Sequence, residues 1–110
     1  MIASMRADRR VIELEFHPAA ADEVDDAEAW YGARNPLAAD AFRAELTRAV
    51  ESVQNSPERW PLHVAGTRCR HLRWFPFGLV YRIEVARILV IAVAHQRRKP
   101  GYWRERSAVI

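Results

Sequence analysis

Apolar and acidic residues alternate in "RVIELEF", with Ile12, Leu14 and Phe16 on one side and Glu13 and Glu15 on the other. A period of two predicts a half-buried strand. "HP" follows, and Pro18 suits the first position of a helix with His17 before it. The period then changes. Ala20, Val24, Ala27 and Tyr31 recur at spacings of 4, 3 and 4, which makes one helical face. Asp22, Glu23, Asp25, Asp26 and Glu28 take the other positions. Gly32 and the Arg-Asn-Pro tripeptide are expected to end this helix and begin the next. The second helix is expected from about Pro36 to about Gln54, with Ala38, Phe42, Leu46, Val50 and Val53 as its stripe and Asn55 and Pro57 as its stop. So short a break between two helices predicts an antiparallel hairpin.

"SPERWPLHVAG" carries two prolines and reads as a loop. Three strands are expected after it. "TRCRHLRW" is extended but polar. "FGLVYRIEV" sets Leu79, Tyr81, Ile83 and Val85 against Val80, Arg82 and Glu84, which places Tyr81 in the core. "RILVIAVAH" is a continuous, β-branched-rich run, the pattern of a central strand. Grouped helices followed by consecutive strands predict an α+β fold: an N-terminal strand, a two-helix hairpin, then an antiparallel sheet carrying the helices on one face.

A length of 110 residues suits one domain over the whole of 1–110. The opening "MIASMRADRR" is polar and unpatterned, reads as a flexible lead-in over residues 1–10, and offers Met5 as an alternative start. It has no apolar core of signal-peptide length. The longest apolar run, Ile88 to Ala94, is too short to cross a bilayer, so no membrane partner is expected. Cys69 is the lone cysteine, which fits a reducing cytosol. The four histidines, His17, His63, His71 and His95, never stand three or four apart. Neither a metal site nor a cofactor is expected.

Charge divides the chain. Residues 1–66 hold 7 Lys and Arg against 12 Asp and Glu, a net of −5, while residues 67–110 hold 10 against 2, a net of +8. Such asymmetry predicts an acidic scaffold and a basic half that faces an acidic partner. The cations gather in "AVAHQRRKPGYW", residues 92–103, where the apolar strand ends in His95 and runs straight into Arg97, Arg98 and Lys99, a Pro100-Gly101 turn, and Tyr102 and Trp103. Arg68, Arg70 and Arg73 add charge nearby. Two readings stand here. The block is a solvated exit loop whose rings close the core, Trp103 above all. Or it is a contact surface, since arginine forks take phosphate and carboxylate bidentately and exposed rings stack. His95 is a candidate general acid or base, and His71 a weaker one, though either also reads as a histidine bonded to backbone. No nucleophile elbow, Walker loop or dinucleotide fingerprint is present. A generic nucleic-acid-binding domain lacks a recognisable reading helix.

The order of elements, together with "HPAAADEVDDAEAWY", "SPERWP", "GTRCRHLRWFPFGLVYRI" and "IAVAHQRRKPGYWRER", resembles the RelE/ParE superfamily of bacterial type II toxins, over roughly residues 11–106. The aromatic-Pro-aromatic strand and the His-x-Arg-Arg-x-Pro-x-Tyr-Trp tail are similar to those of ParE-like, plasmid-stabilisation members. The resemblance implies a curved antiparallel sheet, a cytoplasmic growth-inhibiting toxin, and a cognate antitoxin that wraps it with an acidic, partly disordered segment in a hetero-oligomer. RelE-like members cleave mRNA in the ribosomal A site, and ParE-like members inhibit DNA gyrase without a catalytic centre of their own. In the RelE pattern an arginine precedes "LVY" and lysines lie on the strand before it. Here those positions hold Gly78, Cys69 and His71. A ribonuclease has to activate a 2′-hydroxyl and stabilise phosphate charge, and His95, Arg97, Arg98 and Tyr102 are what remain for it. The gyrase-inhibiting reading is therefore preferred over ribosome-dependent mRNA cleavage. Arg73, His95, Arg97, Arg98, Tyr102 and Trp103 are the expected target or antitoxin contacts.

Overall fold

The computed structural model describes residues 12–108; the lead-in over residues 1–10 lies outside them. Strand β1 (Leu14–Phe16) leads into helices α1 (Pro18–Arg34) and α2 (Pro36–Asn55), and strands β2 (Arg68–His71), β3 (Phe77–Ile83) and β4 (Ile88–His95) follow. Both helices open as their sequences demand. Pro18 and Pro36 need no amide donor at the first turn. His17 Nδ1 accepts from the Ala19 amide and Asn35 Oδ1 from the Leu37 amide, each at 3.0 Å. Of the expected break at Gly32 and Arg-Asn-Pro, the tripeptide makes it and Gly32 does not. The helix continues to Arg34, and the extended Asn35 (φ −162°) makes the break. A Cβ on Gly32 would stand 3.6 Å from that of Ala39, an ordinary van der Waals contact between the two helices.

The sheet order is β1-β4-β3-β2. The expected antiparallel arrangement holds for the last three strands. β1 adds itself parallel to β4, Leu14 opposite Ile88 and Phe16 opposite Val90, which makes the sheet mixed and β4 central. The core lies between the helix pair and one sheet face. Ala20, Val24, Ala27, Phe42, Leu46, Ala49 and Val53 meet Leu79, Tyr81, Ile88, Val90 and Val93 there. Tyr81 is fully buried as expected, and its hydroxyl donates to the Pro57 carbonyl at 2.6 Å. Tyr31, Phe42, Phe75 and Phe77 interlock with ring centroids 5.0–6.5 Å apart, within the range of favourable aromatic pairing.

The other sheet face is also covered. Val80, Leu89, Ile91, Ala92 and Trp103 form a second buried cluster. This explains why β4 carries an unbroken apolar run: a strand buried on both faces has no polar side to show. Trp103 reaches it because Gly101 adopts a φ of +81°, where a side chain would strain the backbone and a Cβ would meet Arg104. The turn at Pro100-Gly101 thus folds the tail back across the sheet, and the stretch Arg104–Ala108 forms a short 3₁₀ turn. Among the described residues no helix is long and apolar enough to cross a membrane.

Candidate functional site

A bulge decides what the end of β4 presents. Val80 pairs with Ala92, but Tyr81 pairs with Val90, so Ile91 is the extra residue. Bulges re-aim the side chains that follow them. Here Ile91 and Ala92 both join the second cluster, and Val93 returns to the helix face. His95 follows it, opposite Phe77, with the two rings edge to face at 5.0 Å. With Trp30 and Tyr31 of α1 and with Arg97 and Arg98, these residues line a groove of about 550 Å³ between α1 and the open end of the sheet.

The cationic block splits into two parts. Arg97, Arg98 and Lys99 are exposed. The backbone beneath them is closed on His95, whose Nδ1 accepts from the Arg97 amide at 3.0 Å and whose carbonyl accepts from the Arg98 amide at 2.9 Å. The Arg98 guanidinium lies 3.8 Å over the Tyr102 ring. Tyr102 and Arg106, in contrast, are held by one carboxylate. Glu23 of α1 accepts from the Tyr102 hydroxyl at 2.7 Å, from both terminal nitrogens of Arg106 at 3.0 Å, and from the Val93 amide at 2.9 Å. Arg106 also donates to the Ile91 carbonyl at 3.2 Å. β1 pairs with β4 only as far as Val90, so Glu23 and Arg106 satisfy β4 backbone groups that no strand reaches. Burial and the Glu23 carboxylate push the Tyr102 hydroxyl far above its ordinary value of 10.0, and Glu23 raises Arg106 as well.

Cys69, Gly78 and His71 sit together on the opposite face of the sheet, through the pairs Cys69–Val80 and His71–Gly78. A Cβ on Gly78 would stand 2.7 Å from Cys69 Sγ and 3.2 Å from His71 Nδ1, so no longer side chain fits without moving that pair. Desolvation pushes the Cys69 thiol up to about 11, which keeps it protonated and unreactive at neutral pH.

The expected site residues therefore do not converge. His71 and His95 lie on different faces. Tyr102 is a half-buried tether. Trp103, expected among the contacts, is 2% exposed and belongs to the second core, the other role its sequence allowed. Arg68 and Arg70 add no cationic surface beside the block: Arg68 donates to the Trp60 carbonyl at 2.6 Å, and Arg70 to Ser52 Oγ at 3.1 Å, both toward the helix side. Arg73 is exposed in the loop after β2. Among the described residues no cluster of three His, Cys, Asp or Glu could hold a metal ion. Two carboxylates escaped the sequence reading. Glu23 and Glu45 sit among ordinary acidic helix positions, and nothing in their spacing marks them; Glu45 is 4% exposed.

The fold is similar to a chain of the chromosomal ParDE toxin–antitoxin system from P. aeruginosa, with a TM-score of 0.67, 20% identity, and coverage of 76% of this chain and 95% of that one. No relative was found among curated protein sequences. The family model described as the ParE toxin of the type II toxin–antitoxin system parDE matches residues 14–100, across both helices and all four strands. The chain belongs to the ParE toxin family.

Proposed function

We propose that this ParE-like toxin arrests growth by inhibiting DNA gyrase, and that a cognate antitoxin neutralises it by covering the groove between α1 and the end of β4. The observation that carries the choice of gyrase over mRNA is the division of the polar residues between two sheet faces. A ribonuclease needs a base, an acid and a phosphate clamp within reach of one phosphodiester. Here His71 and Cys69 crowd Gly78 on one face, while His95, Arg97 and Arg98 stand on the other. The Tyr102 hydroxyl donates to Glu23, and burial together with that carboxylate raises its pKa, which disfavours the tyrosinate a base would need. An inhibitor needs no such convergence, only a complementary surface.

The groove suits an acidic, partly apolar segment. Trp30, Tyr31 and Phe77 supply apolar wall, the exposed Arg97 and Arg98 supply a cationic rim on the β4 side, and of the two carboxylates on the α1 side Glu23 is paired with Arg106 and Asp26 is exposed. Charge pairs of this kind speed association and fix register. Inducing the chain alone should stop growth and leave plasmids relaxed, and co-expressing the antitoxin should restore both. Normal growth at verified soluble expression contradicts the toxin reading for this sequence. Arrest with normal supercoiling and truncated mRNA contradicts gyrase as the target.

A further inference from the structure

The loop between β2 and β3 presents two residues that the fold does not use. Leu72 is buried at its start, and Phe75 packs between Tyr31 and Phe42 two positions after Arg73. Between these anchors Arg73 and Trp74 are pushed outward. Trp74 is 73% exposed, and the Arg73 guanidinium lies 5.0 Å over its ring. Beneath them lies Glu45 of α2, whose carboxylate accepts from the Arg73 amide and, at 3.1 and 3.2 Å, from the Trp74 amide.

A buried carboxylate is costly unless it is fully hydrogen-bonded. This one spends its acceptors on the backbone of two residues whose side chains contribute nothing to the core. Its effect is a fixed loop with a tryptophan and an arginine held ready in water. Tryptophan and arginine are the residue types most enriched where a few contacts dominate a protein interface, and fixing them before binding removes an entropy cost. We propose that Arg73 and Trp74 form a preorganised finger that inserts into an apolar pocket of the toxin's protein target, with a single carboxylate there to meet Arg73; neither residue lines the groove proposed for the antitoxin. The proposal rests on the gyrase reading only for the identity of that target.

The neighbourhood favours protein over nucleic acid. The finger is pinned to the helix pair, and residues 18–55, which span both helices, hold 3 Lys and Arg against 8 Asp and Glu. A phosphate backbone laid across that surface would meet net negative charge, whereas single-strand binders line their stacking rings with cations. Arg73 also occupies one face of the Trp74 ring, a face that a base would need.

The test compares wild type with Trp74→Ala and Glu45→Gln, measuring growth arrest, the concentration for half-inhibition of gyrase, antitoxin affinity and melting temperature. Trp74→Ala should raise the half-inhibitory concentration by about 30-fold or more and relieve arrest, with melting temperature and antitoxin affinity unchanged. Glu45→Gln should give a smaller loss in the same assays, and faster amide exchange at Arg73 and Trp74. Full arrest by Trp74→Ala overturns the finger. So does a matching loss of antitoxin affinity, or binding of duplex DNA alone that depends on Trp74. If wild type arrests growth without touching gyrase, the gyrase reading fails while the arrest assay still judges the finger.

Discussion

The two halves of the stretch from His95 to Arg106 share a composition and have opposite fates. In the first, Arg97, Arg98 and Lys99 face water from a turn closed on His95. In the second, Arg106, Tyr102 and Trp103 are drawn onto the sheet, the first two by Glu23 and the third by the second core. The difference is topological. β1 is short, so β4 beyond Val90 has an open edge on one side, and buried backbone groups must find partners. The tail supplies them. A basic, ring-rich stretch is thus part structural closure and part accessible surface, and only the second part is available to a partner.

The sharpest way to break this division is Trp103→Ala. A core ring predicts a loss of about 3–5 kcal/mol and a fall in melting temperature of about 10 °C or more. A variant with unchanged melting would place Trp103 outside the core. Glu23→Ala comes next. It leaves the partly buried Arg106 and the Tyr102 hydroxyl without their shared acceptor, and removing one member of such a network costs about 2–4 kcal/mol. Loss of amide protection at Val93 should accompany it. A neutral Glu23→Ala result would mean that the tail is held by Trp103 alone.

The tether also has a pH signature. The Tyr102 hydroxyl is raised in the folded protein above its unfolded value of 10.0. Its contribution is fully present below that value and is lost as pH rises from there toward the folded pKa. Melting temperature should therefore drop more steeply above pH 10 in wild type than in Tyr102→Phe. Parallel curves would show that the hydroxyl is not held. The smallest effect on stability belongs to the exposed half. Arg97→Glu with Arg98→Glu should shift stability by about 1 kcal/mol or less, the scale of a surface cation–π contact, yet weaken antitoxin binding by about 2–5 kcal/mol if those charges are paired and desolvated in the complex. Unchanged affinity by calorimetry would assign both arginines to solvent.

Most of the fold could be read from local pattern. His17-Pro18 and Asn35-Pro36 carry their helix starts in their own chemistry, and the 4-3-4 spacing of Ala20, Val24, Ala27 and Tyr31 marks the face that meets the sheet. What escaped the sequence depends on distant partners. An unbroken apolar run conceals the bulge at Ile91, because neither face of β4 is polar enough to reveal which way a side chain points. Glu23 and Glu45 look like solvent-facing helix positions. Their roles appear only when residues 79 and 83 positions along the chain from Glu23, and 28 and 29 from Glu45, come into hydrogen-bond reach. Gly78 was legible as a missing arginine, but not as the contact point of Cys69 and His71.

The most direct measurement adds the purified chain to gyrase supercoiling reactions and to programmed ribosomes in parallel, at equal concentrations and without antitoxin. Inhibited supercoiling, with no mRNA cuts by primer extension, is the predicted result. Specific A-site cuts that disappear in His95→Ala or Tyr102→Phe, with supercoiling untouched, would contradict it and make the protein a ribonuclease.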